Sequence, residues 1–551
     1  MEMRDFKIYW NYEKNVPVIA DKDRDNMRIK RDKLKYLTSD VRPVFLQEKH
    51  LIKELFGLDD SIYFSSVWCS KQGKYVVDGK MLKKSAIQSA KSIKDVEKFR
   101  EKIFDYQQTE KMAEKEKEIL GTFVAENNDR LLYLLESRET DEEGHYIGAY
   151  PFINQVVEKY QKRVPMVSFS GGKDSTAVSH LVRKALANPS ILHIFGDTTL
   201  ELPSTYEYVK EFKENNPMTP FFDEKNEENN FFEMCQEIGP PSRVMAWCCS
   251  IFKTGPMGTT LGNFDEDFLT FYGVRRKESF NRSKYPKILE STKIDKQLSV
   301  SPVIDWLDLD IWLYIILEKL EFNIAYTQGF SRVGCWVCPH RGYWSDFITE
   351  IYNENIFKGW KHSLYNFAKK INKKDYKEYI DEEKWKLRRG GDGLSKVKKS
   401  EIKNKECVNE KNSYNFKLQR KLNGDFLELM KPFGKINYRE KNRRSEADIL
   451  SPKNEVLFTI AYERESTELR VTLVDLKDRY LYGKIMRQLN KYNSCMYCQA
   501  CNSTCSFGAL SVSKGLYKID ENLCTNCLKC VMHFELGCLI VSVLKIKKQE
   551  V

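Results

Sequence analysis

Fifteen cysteines and one short glycine loop carry most of the chemistry legible in this 551-residue sequence. Twelve cysteines fall into three groups: Cys248 and Cys249 with Cys335 and Cys338; Cys495, Cys498, Cys501 and Cys505; and Cys524, Cys527, Cys530 and Cys538. Cys69, Cys235 and Cys407 stand alone. In a reducing compartment such clusters read as metal or redox sites rather than disulfides. Four thiolates can close one iron–sulfur cluster or one zinc site. The loop Ser170-Gly171-Gly172-Lys173-Asp174-Ser175 lies between an apolar run and a helical one. Its glycines let the backbone approach an anion, and the N–H groups and the helix start supply positive potential. A helix dipole contributes only ~0.3–1 kcal/mol when exposed, too little for a triphosphate. Lys173 and Mg²⁺ are therefore expected to share the neutralisation. The loop departs from G-x-x-x-x-G-K-[ST]: Val167 stands where the first glycine belongs, and Asp174 follows the lysine. An ordinary glycine turn is the alternative reading.

These residues need elements to position them. Residues 150–350 alternate short apolar runs with helical stretches, which predicts an α/β fold with a doubly wound parallel sheet. Val164–Phe169, Ile191–Phe195 and Phe268–Tyr272 are its candidate strands. Residues 1–95 read as a β-rich accessory module, with two strands around a Lys-Gln-Gly turn, and a nucleic-acid-binding platform as the less favoured reading. Residues 96–149 read as a helical linker region. Residues 351–430 read as a basic helical and loop region in which 388–415 is a loop or mobile arm. Residues 431–490 read as a small α+β connector with a hairpin at 455–475 and a helix after it, and residues 491–551 as the cysteine-rich tail.

The motifs carry family resemblances. Ser-Gly-Gly-x-Asp-Ser resembles the pyrophosphate loop of the adenine-nucleotide α-hydrolase superfamily, which includes ATP pyrophosphatases and the phosphoadenosine phosphosulfate (PAPS) reductase family. Asp197, Thr198, Glu201, Pro203, Thr205 and Tyr206 resemble the second loop of the PAPS reductase family. Gly273, Arg275, Glu278, Ser279 and Arg282 resemble its Gly-x-Arg-x-x-Glu-Ser-x-x-Arg segment. The resemblance covers Val164 to Arg341 and implies a nucleotide site of Ser170, Gly171, Gly172, Lys173, Asp174, Ser175, Asp197, Thr198, Gly273, Arg275 and Arg282. It implies a catalytic set of Lys173, Asp174, Asp197 and Arg275. A surface ion pair is the alternative for the two arginines.

Cys248-Cys249 with Cys335-x-x-Cys338 resembles the [4Fe–4S] ligand set of adenosine phosphosulfate reductases and of the iron–sulfur ATP pyrophosphatase of DNA phosphorothioation, zinc or a plain thiol pair being the alternatives. His340 and Arg341 follow as neighbours rather than ligands. The tail runs C-x₂-C-x₂-C-x₃-C and C-x₂-C-x₂-C-x₇-C resemble bacterial two-cluster ferredoxins. That resemblance implies one [4Fe–4S] on Cys495, Cys498, Cys501 and Cys538 and a second on Cys524, Cys527, Cys530 and Cys505, with a zinc ribbon as the alternative. Ser506 replaces the proline usual in those runs. The Glu-Cys-Gly-x-His segment that reductases use for attack on sulfur is missing, and Cys538 sits in Glu-Leu-Gly-Cys instead.

The implied function is ATP pyrophosphatase-type adenylation coupled to sulfur transfer onto a nucleic-acid acceptor, DNA or tRNA. A cysteine desulfurase or other sulfur donor and an external electron donor would serve it. A sulfonucleotide reductase fed by the fused ferredoxin, and a non-catalytic nucleotide-sensing redox protein, are the alternatives. The composition, 41% hydrophobic and 31% charged, excludes collagen, a coiled-coil rod and a wholly disordered chain. No uncharged apolar run reaches eighteen residues and the charged start lacks a signal-peptide core, so no membrane span and a cytoplasmic location are expected. The net charge is +11, and residues 384–420 hold twelve Lys or Arg against four Asp or Glu. A solvated loop or a phosphate-tracking arm would both account for that stretch.

Overall fold

The computed structural model describes residues 6–12, 16–21, 35–36, 40–290, 293–441, 444–475, 479–513 and 515–545. Three strands open the chain: β1 (Phe6–Asn11), β2 (Val16–Asp21) and β3 (Lys35–Tyr36). A second small sheet follows, of β4 (Val41–Pro43), β5 (Val67–Ser70), β6 (Tyr75–Val77) and β7 (Lys80–Met81). The turn between β5 and β6 is the Lys-Gln-Gly turn the sequence suggests. The β-rich expectation for 1–95 misses the helix Leu46–Phe56 between β4 and β5. Leu51 and Ile52 are buried on it, and Glu48 accepts two hydrogen bonds from the Arg42 guanidinium at 2.6 and 2.7 Å. Helices Val96–Phe104 and Glu110–Glu136 occupy the predicted helical region.

The central sheet contains β8 (Val164–Ser168), β9 (Leu192–Asp197), β10 (Phe221–Lys225), β11 (Phe268–Tyr272), β12 (Ile288–Glu290) and β13 (Gln297–Val300). Their order is β10-β9-β8-β11-β13-β12, parallel throughout except for the antiparallel edge strand β12. Alternate residues serve opposite faces. Val167, Leu269 and Phe271 pack with Ala177, Val178 and Leu181 of the helix Lys173–Ala185 and with Leu313 of the helix Asp308–Leu317. Met166, Ile194 and Phe268 pack with Met257 and Leu261 of the helix Gly255–Gly262. The sheet is therefore covered on both faces, as a buried parallel sheet must be. After β8 the chain turns to β9 on one side, whereas β11 lies on the other. The loops leaving β8 and β11 consequently adjoin, and such a reversal of strand order is where α/β sheets bind ligands.

A six-stranded antiparallel sheet follows, of β14 (Lys403–Glu406), β15 (Ser413–Lys417), β16 (Lys435–Lys441), β17 (Arg444–Leu450), β18 (Val456–Glu463) and β19 (Glu468–Leu473). Its order is β14-β15-β19-β18-β17-β16, and β18 with β19 forms the hairpin read at 455–475. The loop or arm expected at 388–415 is corrected here. That stretch contains the helix Ser395–Lys399 and strand β14, and β15 begins within it. The lysines mislead because β14 is an edge strand exposed along its length, while Ser413 and Phe416 of β15 turn inward. The sheet draws strands from both 351–430 and 431–490, so one sheet crosses that expected boundary.

The helix expected after the hairpin is Arg479–Ser494, and it leads into the tail, which holds the hairpin of β20 (Leu510–Ser513) and β21 (Leu516–Ile519). Ile485 and Leu489 share one apolar core with Phe458, Ile460 and Val512. The tail also abuts the central unit. Asn502 Nδ2 donates to Thr259 Oγ1 at 2.8 Å, and a Cβ on Gly258 would lie 2.4 Å from Ser503 Cα. Among the described residues, no helix is long and apolar enough to cross a membrane.

Candidate nucleotide and cysteine site

The phosphate loop is built by close approaches that only glycine permits. Gly171 has φ +68°, the left-handed region, and a Cβ there would meet Thr205 Cγ2 at 2.9 Å. Gly273, leaving β11, would bring a Cβ to 2.6 Å from the Asp174 carbonyl carbon and 2.7 Å from Ser175 N. Its missing side chain is what lets the β11 loop lie against the phosphate loop. Ser175 Oγ donates to the Gly172 carbonyl at 2.8 Å and accepts from Ser170 N at 3.1 Å, closing the loop on itself. Tyr326 OH accepts from Lys173 N at 3.0 Å.

Two cations and three carboxylates meet at the helix start. Lys173 Nζ lies 2.9 Å from both Asp174 Oδ2 and Asp308 Oδ1. Arg275 pairs with Asp174 at 2.5 Å and Asp308 at 2.8 Å, and its Nη1 is 3.7 Å from Asp40 Oδ2. Burial alone would drive the proton from Lys173, but Asp174 and Asp308 reverse that and hold it above the ordinary lysine range. Burial would also raise Asp174, and the two cations instead hold its carboxyl well below the usual range. Asp40 is pushed up to about 6 by burial and then by Asp308. Its carboxylate accepts from the N–H groups of Asp308, at 2.6 Å, and Leu309, at 3.1 Å, at the start of the helix Asp308–Leu317. Arg282 sits beside Glu278, its ion-pair partner. Burial and then the neighbouring Arg332 lower it to about 10.

The end of β9 carries the second loop. Asp197 Oδ1 accepts from Thr199 N at 2.7 Å and from Tyr206 OH at 2.8 Å. Thr198 Oγ1 donates to Glu201 Oε1 at 3.0 Å and lies 3.3 Å from Cys335 Sγ, which also donates to Glu201 at 3.3 Å. The second loop therefore touches the first cysteine group directly. Cys248 is hydrogen-bonded to Cys249 and lies within electrostatic reach of Cys335 and Cys338, so residues 86 or more positions apart are gathered at one place. Arg332 spans the two halves, interacting with Arg282 on one side and Cys338 on the other. Arg341 spends its guanidinium on the Ser345 carbonyl, at 2.6 Å, and on Asp346. His340 is exposed beside Arg243 and Arg332.

The tail cysteines regroup across their two runs. Cys498 and Cys538 are buried, and Cys498 interacts with Cys538, Cys501 and Cys495. Cys530 interacts with Cys501, Cys505 and Cys524, and Cys524 with Cys505 and Cys527. Cys505, Cys524, Cys527 and Cys530 line one cavity with Pro432, Leu510 and Ile519. Among the described residues, no three His, Cys, Asp or Glu side chains converge on a point for a single metal ion. A cubane spreads its thiolates more widely than one ion does, so the four thiols Cys505, Cys524, Cys527 and Cys530 around one cavity fit the donor set of an iron–sulfur cluster, and the other two groups share that all-thiol chemistry. Asp40, Asp308, Tyr326 and Arg332 take part in this site although no motif reading singled them out. Asp308, Tyr326 and Arg332 lie within the Val164–Arg341 stretch that carries the resemblance, but Asp40 lies far outside it, and only folding brings it there.

A parallel sheet with a glycine loop and a cysteine group at the same strand ends defines an α/β protein whose switch point is open to a ligand. Residues 164–341 match the phosphoadenosine phosphosulfate reductase domain. An uncharacterized protein of Methanocaldococcus jannaschii is 35% identical over 228 residues, 41% of this chain and 46% of that one. The adenosine 5'-phosphosulfate reductase of Bacillus mycoides is 26% identical over 203 residues, 36% of this chain and 82% of that protein. The crystal structure of a PAPS reductase from Candida auris aligns with 37% of this chain and 98% of its own, at TM-score 0.26 and 14% identity. The chain matches about half the length of the first curated relatives, 46% and 47%.

Proposed function

We propose that this chain is an iron–sulfur enzyme that activates an acceptor with an adenine nucleotide and passes sulfur to it. The observation that carries the reading is the 3.3 Å contact between Thr198 and Cys335, which joins the nucleotide loops to the first cysteine group. The loop 170–175 would hold the β- and γ-phosphates, with Lys173 exchanging its carboxylate partners for phosphate oxygens. Asp174 and Asp308, released from that pairing, offer the hard oxygen donors that Mg²⁺ takes. An acceptor oxygen attacks the α-phosphorus, the bond to the bridging oxygen breaks, and pyrophosphate leaves with the electron pair. Sulfur at the sulfide level then forms its bond to the activated centre, and AMP departs. Arg275 and Arg282 suit the charge that develops on the phosphorus oxygens, because a guanidinium donates in a fixed fork.

The residues that would hold clusters are Cys248, Cys249, Cys335 and Cys338; Cys495, Cys498, Cys501 and Cys538; and Cys505, Cys524, Cys527 and Cys530. When bound, such centres supply one-electron transfer and a binding site for sulfur. They would bring the holoprotein to a net charge of about +5. A sulfur donor at the persulfide level would need two electrons from an external reductant, which the ferredoxin-like tail suits. A cysteine desulfurase would be such a donor, and DNA or tRNA a fitting acceptor.

A second reading, a sulfonucleotide reductase, is favoured by the match to 82% of an adenosine 5'-phosphosulfate reductase. Against it, the sequence lacks Glu-Cys-Gly-x-His, and Cys538, the nearest counterpart, is 4% exposed among other tail cysteines. Protein purified without oxygen and offered α-labelled ATP or PAPS separates the two. Labelled AMP with pyrophosphate is the expected result. Sulfite release from PAPS would overturn the first reading. Lys173→Ala should abolish turnover while leaving iron content unchanged.

A further inference from the structure

The loop after β11 carries exposed cations beyond the two arginines assigned to the phosphates. From Arg276 to Lys284 four cations stand against one acid, Glu278, and that acid is taken by Arg282 and lies 3.8 Å from Arg275. Arg276 pairs with Asp305. Lys277 and Lys284 are exposed and form no ion pair among the described residues. Phe280, at the crest of this loop, is 77% exposed, with the Lys284 ammonium 5.1 Å from its ring centroid. Tyr285 and Leu289 beside it are also exposed. A lone exposed aromatic means little. This one stands two residues from Arg282, whose charge reaches Asp174 and Arg275 of the phosphate site.

A second segment, more than two hundred residues away in sequence, extends the same surface. The ammonium of Lys71, in the β5–β6 turn, donates to the carbonyl of Lys277. That contact lays the exposed turn residues Lys71 and Lys74 against the basic loop. Arg332 and Arg243 are also exposed; Arg332 lies within electrostatic reach of Arg282, and Arg243 Nε donates to the Pro339 carbonyl at 3.2 Å. A group of exposed cations beside the phosphate loop, with one largely exposed ring among them, combines the two features that hold a single strand: phosphate tracking and base stacking. A duplex hides its bases and gives the ring nothing to stack on.

We infer that the loop Arg276–Lys284 and the turn Lys71–Lys74 form one binding surface for an unpaired nucleic-acid strand, with Phe280 as the base-stacking platform. This deepens the reading of a nucleic-acid acceptor and rests on it for its place in catalysis.

The test uses the full chain, purified without oxygen, and fluorescein-labelled single strands of DNA and of RNA about a dozen nucleotides long. Phe280→Ala should weaken binding about 5- to 100-fold. The double variant Lys71→Glu/Lys74→Glu should flatten the slope of log affinity against log salt by about 1.4. Both should bind ATP as the wild type does. Lys421→Glu, at a lysine 3.7 Å from Glu465 of the β18–β19 turn, should bind the strand normally. Strand affinity indifferent to Phe280 and to Lys71 and Lys74 would overturn the proposal, as would polyglutamate competing as well as the oligonucleotide. Phe280-dependent strand binding without ATP turnover would leave this surface standing and remove the adenylation reading. Turnover of ATP with no strand binding would do the reverse. A difference between the DNA and RNA arms tells which polymer the surface takes.

Discussion

Gly273 and Asp174 touch through backbone alone: a Cβ on the glycine would lie 2.6 Å from the Asp174 carbonyl carbon. The loop after β11 and the loop after β8 are thereby locked together, which sets Arg275 against Asp174 at 2.5 Å. Gly273→Ala should force the two loops apart, because the obstructing atoms are backbone and cannot rotate away. Overpacking of this kind costs about 1–3 kcal/mol. We expect ATP affinity to fall at least about tenfold, measured by isothermal titration, with iron content unchanged. Wild-type affinity would show that the loops slide freely.

The regrouping of the tail cysteines predicts how iron is lost. Cys505 belongs to the first sequence run but lines a cavity with Cys524, Cys527 and Cys530 of the second. Cys505→Ser and Cys530→Ser should therefore remove the same centre, each lowering iron by about four atoms per chain, and the double variant should lose no more. Cys335→Ser should lose a different set of about four. Additive losses from Cys505 and Cys530 would refute the crossed grouping.

His193 gives a stability signature independent of iron. Its imidazole is fully buried, with Nδ1–H donating to the Ile191 carbonyl and Nε2 accepting from Ser179 Oγ, both at 2.8 Å. Burial lowers it from 6.5 to about 4. Above pH 6.5 the imidazole is neutral in both the folded and the unfolded chain. Between pH 6.5 and 4 only the unfolded chain takes the proton, so stability falls as the pH falls, by about 3 kcal/mol at most. His193→Gln should show a shallower loss of urea stability between pH 7 and 5 than the wild type. Parallel curves would sink this assignment.

Gly258 faces Ser503 with no room for a side chain. Gly258→Val should loosen the tail from the central unit, since Ser503 backbone lies in the way. Hydrogen exchange over 495–545 should rise markedly while the strand Val164–Ser168 stays protected. Unchanged exchange in the tail would mean that this contact holds nothing.

The sequence by itself carries the local pattern from which the chemistry is read. Ser170–Ser175 could be read as an anion loop because a phosphate nest depends on short-range backbone freedom and one helix start. The strands at 164, 192 and 268 were legible because a buried parallel strand is a continuous apolar run. The basic stretch 388–415 hides its strand because an edge strand with both sides exposed has no apolar period. What only the tertiary structure decided was which distant groups meet. No spacing rule links Asp40 to Arg275, Cys335 to Thr198, or Lys71 to Lys277. Those contacts arise from the order of strands in the sheet and from an N-terminal module packed over its mouth. Burial then sets how strongly each group acts: Asp174 and Asp40 are the same residue type, yet one carboxyl is held below its usual range and the other is pushed up to about 6.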